Sequence, residues 1–208
     1  YDALTDLPNR RLFYEQLEKS KTLPFSLMYV DLDQFKIIND NLGHSVGDRL
    51  LKLVAARMNA CVEKDDFIAR LGGDEFAIIV NSDQLNRTAP TAKRVLEKLS
   101  QPFFIDGREL HISASIGISL YPNDTYDLDI LVKNSDIALY SAKEFGRNNY
   151  QYYHAEMGSR IEERLMIETE LRQALEKDQF FLVYQPKITL EDSSVAGAEA
   201  LIRWNHPE

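Results

Sequence analysis

Apolar residues are spaced in two ways along this chain, and the alternation predicts its elements. Asp2 to Asn9 reads as a loop, with Pro8 leading into a helix over about Asn9 to Lys19. Ser26 to Asp33 is a short apolar run of strand length. Gln34 to Asp40 reads as a helical turn, and Asn41-Leu42-Gly43 interrupts it. A longer helix follows from about Ser45 to Glu63, where Leu50, Leu53, Val54, the aliphatic stem of Arg57 and Met58 keep the three-four spacing of one buried face. Phe67 to Leu71 and Phe76 to Val80 are strands joined through Gly72-Gly73-Asp74-Glu75, because glycine supplies the positive φ of a tight hairpin. Thr91 to Leu99 is helical, with Pro90 near its first turn. Phe103 to Ile105 and Leu110 to Leu120 form a second hairpin turning at Asp106-Gly107. Leu128 to Phe145 is a helix stopped by Gly146, and Asn149 to His154 closes with a strand.

This order predicts an α+β fold with an antiparallel sheet and helices on one face. A charged helix over about Glu156 to Lys177 comes next, with Ile161 and Leu165, then Ile167, Leu171 and Leu175, at four-residue steps. It either packs on the first domain or serves as a connecting or dimer-forming helix. Phe180 to Tyr184 starts a new strand, Ala198 to Trp204 is a candidate for another, and the chain stops at Glu208 before a second core is complete. The expected division is therefore residues 1–154, a connecting helix over 155–178, and a truncated piece over 179–208.

Composition narrows the function classes. A length of 208 residues suits one domain plus an extra piece, and a net charge of −9 without a Lys/Arg cluster argues against nucleic-acid polymers. The longest apolar runs, Phe76 to Val80 and Phe180 to Tyr184, have five residues, against about 20 for a membrane-spanning helix. No secretory leader is visible, although the abrupt start at Tyr1 suggests a cut end. Cys61 stands alone, which suits a reducing cytoplasm, and the four histidines have no zinc-ligand spacing.

Three clusters carry candidate chemistry. The turn Gly72-Gly73-Asp74-Glu75 bears two adjacent carboxylates, which repel unless water, a proton or a hard cation relieves them. Alone, it could be a solvated turn. Asp31 and Asp33 end an apolar strand on one face, followed by Lys36. They could simply cap the next helix, but a carboxylate at a strand end met by another on a hairpin also suits metal-assisted phosphoryl transfer. Lys143 and Arg147, four apart, either complement a helix carboxyl end or clamp phosphates.

Six motifs in order carry a resemblance that joins these clusters. They are Leu4-Thr5-Asp6-Leu7-Pro8-Asn9-Arg10, Asp31 through Asp40, Gly43-His44 with Gly47-Asp48, Arg70 through Phe76, Ser115 through Ser119, and Asp136 through Lys143 leading to Gly146-Arg147-Asn148. Residues 2 to about 154 resemble a GGDEF domain of the diguanylate cyclase family. The resemblance implies a fold similar to the class III nucleotidyl cyclase and polymerase palm. It implies condensation of two GTP into cyclic di-GMP with release of two pyrophosphates, by a two-fold dimer holding one GTP per domain. Asp31 and Asp74, with the Leu32 carbonyl, would bind magnesium or manganese. Glu75 would lie beside the ribose 3′-hydroxyl as the base. Asn39 and Asp48 would hydrogen-bond guanine, with His44 near the base or ribose. The amides of Gln34 and Phe35, with Lys36, Lys143 and Arg147, would hold phosphates. A GTP-binding module without catalysis, or a structural domain that dimerises through its last helix, remains an alternative.

Where the family carries its product-inhibition motif Arg-x-x-Asp, this chain reads Glu63-Lys64-Asp65-Asp66, and a glutamate would repel phosphate. The tail, Leu182 through Lys187 and Glu199 through Pro207, resembles the opening of an EAL domain, a cyclic di-GMP phosphodiesterase. Glu199 would be a metal ligand and Arg203 a substrate contact, with Gln185 nearby. The resemblance implies a cytoplasmic piece of a longer protein, whose missing partners are the rest of the EAL domain and upstream sensory domains that could tether it to a membrane. A fragment this short is too incomplete to be a phosphodiesterase, and irregular packing or partial disorder is expected of it.

Overall fold

The computed structural model describes residues 1–81, 85–191 and 193–206, with the backbone alone for residues 85, 160–165 and 168. The side chains of Ile161 and Leu165 thus lie outside the described residues. The chain divides into two compact units, Tyr1–Met157 and Gly158–Glu208.

In the first unit, α1 (Arg10–Lys19) precedes β1 (Phe25–Leu32). Asn9 caps α1, its side-chain oxygen accepting from the Leu12 amide. α2 (Phe35–Leu42) and α3 (His44–Asn59) meet at Gly43, whose φ of +84° suits a residue without Cβ. β2 (Phe67–Gly72) and β3 (Glu75–Asn81) form the signature hairpin, followed by α4 (Thr88–Leu99). β4 (Phe103–Ile105) and β5 (Arg108–Leu110) form a separate small hairpin. β6 (Ala114–Tyr121), α5 (Leu128–Glu144) and β7 (Tyr150–Tyr152) complete the domain, and the main sheet has the order β2-β3-β1-β6-β7.

Three expectations change here. Helices cover both faces of the sheet. From β1, Phe25 and Leu27 pack with Phe13 and Leu17 of α1 and with Leu131 of α5. Met28, Val30 and Leu32 pack on the other face with α3 and α4. An unbroken apolar run marks a strand covered on both sides. The sheet is also mixed. β7 runs parallel to β6, because the helical crossover α5 returns the chain to the same end. Finally, the predicted strand from Leu110 to Leu120 breaks at residues 111–113, where the Ser113 carbonyl accepts from the Asp33 amide at 2.9 Å.

In the second part of the chain, α6 (Ala155–Glu176) precedes β8 (Phe180–Ile188) and β9 (Val195–Trp204). These strands pair antiparallel in continuous register from Phe180 to Lys187, and the register shifts between Lys187 and Ile188.

Candidate active site

The end of β1 is where the first two clusters meet. Asp31 lies directly across from Glu75 on β3 and from Ser115 on β6. The preceding turn takes its shape from Gly72 and Gly73, at φ +147° and +52°, conformations that side chains strain to adopt. A buried arginine fixes that turn from within. Arg70 donates to the Gly73 carbonyl from Nε (3.1 Å) and Nη2 (2.7 Å), and from Nη1 to Asp2 Oδ1 (2.9 Å). Asp2 also accepts from the Thr5 amide and hydroxyl, so the first motif and the hairpin are tied together.

The two aspartates of β1 have different partners. Asp33 is buried and accepts from the hydroxyls of Ser113 (2.6 Å) and Ser115 (2.7 Å) and from the Asn148 amide (3.1 Å). It thereby anchors the turn after α5 to the end of β1. Asp31 instead receives the Lys143 ammonium at 2.8 Å. Burial pushes the Asp31 carboxyl above the ordinary carboxylate range, Lys143 pulls it partway back, and the carboxylates of Asp74 and Asp33 push it up again. The site thus concentrates negative charge and holds one cation against it.

Leu32 is buried, and its amide donates to the Asp74 carbonyl at 3.3 Å. Gln34 caps α2 in the left-handed region at φ +59°, and the buried Phe35 begins that helix, whose first amides lack intrahelical acceptors. Lys36 is exposed. Arg147 corrects the expected helical pairing with Lys143. It lies past the end of α5 at φ +63°, so four-residue helical alignment does not apply. The chain fold nevertheless brings it to Gln34, since both line a cleft of about 580 Å³ together with Asp33, His111, Ser113 and Asn148.

The residues assigned to guanine sit at the α2–α3 contact. Asn39 is half-buried, while His44 and Asp48 on α3 are exposed. Gly47 lets the two helices close here. A Cβ at that position would lie 1.9 Å from Asn39 Oδ1.

Glu63 and Asp66 share one partner that sequence reasoning missed. Arg87 Nη2 lies 2.9 Å from Glu63 Oε2 and 3.0 Å from Asp66 Oδ2. Missed as well was Tyr29, whose buried hydroxyl donates to Glu75 Oε2 at 3.4 Å. Burial, and then the Glu75 carboxylate, push this phenol well above its ordinary pKa. Its position two residues before Asp31, on the same strand face, was the available signal. In the β8–β9 hairpin, Gln185 lies directly across from Glu199, Lys187 Nζ is 3.6 Å from Glu199, and Arg203 donates to the Ile202 carbonyl.

Oxygen donors at Asp31 and Asp74 suit a hard divalent cation, and the ammonium on Asp31 shows that a positive charge is accommodated there. Among the described residues no three His, Cys, Asp or Glu side chains converge on a metal position. A cation would therefore need backbone carbonyl, water and substrate oxygens as well, a set that magnesium accepts.

Comparison with known proteins shows the family. Residues 1–149 match the model of the family described as diguanylate cyclase, GGDEF domain, and residues 168–208 match that of the EAL domain. The chain is 42% identical to the bifunctional diguanylate cyclase/cyclic di-GMP phosphodiesterase MucR of Pseudomonas aeruginosa, aligning over all of this chain and 31% of that protein. It is also 42% identical to the cyclic di-GMP phosphodiesterase NbdA of the same organism, aligning over all of this chain and 27% of that one. The chain therefore spans less than a third of either relative. Among solved structures, the GGDEF domain of TpbB (YfiN) from Pseudomonas aeruginosa superposes with a TM-score of 0.75 at 30% identity, over 78% of this chain and 99% of that one. An EAL/GGDEF domain protein from M. capsulatus gives 0.62 at 41% identity, over 71% and 99%. Over its first 149 residues the chain belongs to the diguanylate cyclase, GGDEF-domain family, and it runs on into the start of an EAL domain.

Proposed function

We propose that the domain condenses two GTP molecules into cyclic di-GMP, releasing two pyrophosphates. The observation that carries this reading is the juxtaposition of Asp31 with Glu75 and Lys143 at the strand end beside the Asp74 turn. The 3′-hydroxyl of one GTP gives its proton to Glu75, and its oxygen bonds to the α-phosphorus of the other as the bond to pyrophosphate breaks. Asp31 and Asp74, with the Leu32 carbonyl, would hold magnesium or manganese, which supplies Lewis-acid stabilisation of the phosphoryl oxygens. The amides of Gln34 and Phe35, with Lys36 and Arg147, bind the phosphates, and Lys143, paired with Asp31 at 2.8 Å, would add its charge to them. One GTP per domain makes a two-fold dimer the active species, in the cytoplasmic part of a GGDEF–EAL protein. No described helix is long and apolar enough to cross a membrane.

Guanine recognition supplies the test of the pocket. Asn39→Ala and Asp48→Ala are each expected to weaken GTP about 5- to 50-fold, the range for hydrogen bonds to a buried polar edge, while ATP changes less than about 2-fold. Calorimetric titration with both nucleotides reads this, and equal losses for both would remove guanine recognition from these residues.

A second reading has its own support. NbdA, as similar to this chain as MucR, is named for phosphodiesterase activity alone. On that reading the domain binds GTP and regulates the EAL partner without turning over.

Arg87 bears on product control. Glu63 and Asp66 are both paired with its guanidinium, and a glutamate stands where the family's motif has arginine. Cyclic di-GMP is expected to bind this face more weakly than about 100 μM, as the exposed Glu63 carboxylate repels phosphate. Calorimetry at low salt checks it, and tight binding lost in Asp66→Ala would contradict it.

A further inference from the structure

The Glu75 carboxylate sits on a half-buried strand end, and a glutamate has three torsions to fix before it can receive a proton from a bound hydroxyl. Two cross-strand neighbours share its face of the sheet. Asp31 lies directly opposite, and Tyr29 lies on the diagonal, since Tyr29 pairs with Ala77 two residues along. Asp31 offers Glu75 only like charge. Tyr29 offers a donor: its hydroxyl reaches Glu75 Oε2 at 3.4 Å, and among the described residues it is the one hydrogen-bond donor to that carboxylate. The contact is long for an O–H···O bond, as such bonds are in sites without substrate. Only 6% of Tyr29 is exposed, so the ring cannot follow a wandering glutamate, and two χ angles leave it little freedom. Its strand neighbour on the other side is Gly117, over which the backbone of α5 closes.

We infer that Tyr29 is a positioning residue for Glu75, its hydroxyl selecting the carboxylate rotamer that meets the ribose 3′-hydroxyl. The inference rests on the cyclase reading for its chemical consequence, but the positioning itself does not depend on turnover. A tyrosine chosen only to fill the core would be equivalent to phenylalanine. A positioning tyrosine would not.

The test is Tyr29→Phe, alone and combined with Glu75→Gln, measured by steady-state GTP turnover with magnesium and by crystal structures of the wild type and the single variant. Tyr29→Phe is expected to lower kcat about 3- to 10-fold, the rate equivalent of one neutral hydrogen bond, with KM for GTP changed less than about 2-fold. In the Glu75→Gln background the same change should alter the residual rate less than about 2-fold, because the carboxylate it positions is gone. In the crystals, Glu75 should hold one rotamer in the wild type and several in Tyr29→Phe. An undiminished kcat, or an equal fall in both backgrounds, would overturn the inference. If the wild type makes no cyclic di-GMP, the cyclase reading fails by itself and the crystals decide the positioning: the same single Glu75 rotamer in both proteins overturns it, and rotamer scatter confined to the variant supports it.

Discussion

Asp74→Asn is expected to lower GTP turnover at least about 100-fold, equivalent to ~2.7 kcal/mol of transition-state stabilisation, while leaving the protein folded. The asparagine keeps the size of the side chain and the backbone carbonyl that accepts from the Leu32 amide. What it removes is one charge of a carboxylate pair. The repulsion between Asp74 and Asp31 is part of what pushes the Asp31 carboxyl up, so neutralising Asp74 relieves strain in the metal-free protein. Stability should therefore hold or rise slightly as activity disappears, a combination that a merely damaged fold does not produce. Pyrophosphate release and thermal melting, measured on the same sample, check it. Turnover within about 3-fold of the wild type would remove Asp74 from the metal site.

Gly117→Ala is the second large effect, and it acts on stability. Gly117 lies in β6 between Tyr29 of β1 and Gln151 of β7. Its φ is not the reason for glycine. The reason is α5, which crosses so closely that a Cβ would lie 1.9 Å from the Ser135 carbonyl oxygen and 2.2 Å from the Leu139 amide nitrogen. Both atoms belong to helix backbone, so no side chain can swing aside, and the whole helix must lift from the sheet. Overpacking of a rigid contact costs about 3 kcal/mol or more. Because α5 carries Lys143 and leads into Arg147, the variant should also lose affinity for GTP. Urea unfolding is the measurement, and a loss below about 1 kcal/mol would show that the helix docks less tightly than this.

Much of the domain was legible because its residues are locally consistent. The apolar run before Asp31, the glycine pair before Asp74-Glu75, and the helix ending at Gly146 each obey one strong local rule. The family motifs then joined pieces that spacing alone left open. What could not be read depends on long-range pairing. Strand β7 is three residues long and takes its direction from the crossover over β6, not from its own sequence. The break at residues 111–113 looks like a continuous strand until Asp33 is seen drawing Ser113 toward it. Lys143 resting on Asp31 joins residues 112 positions apart, and the Arg87 bridge to Glu63 and Asp66 comes from a single 3-10 turn, Leu85–Arg87, too short to have a periodic signature. Arg147 shows the reverse error: a helical spacing in the sequence spans the end of the helix.

The central claim is that two of these domains, each holding one GTP, make cyclic di-GMP. The direct measurement follows GTP turnover with magnesium across a range of protein concentrations, quantifying both pyrophosphate and cyclic di-GMP. The account predicts one cyclic di-GMP for every two pyrophosphates, with a rate per protein molecule that rises with concentration until dimers saturate. Tight GTP binding without product, at concentrations that force dimerisation, would contradict it and leave a nucleotide-sensing domain in its place.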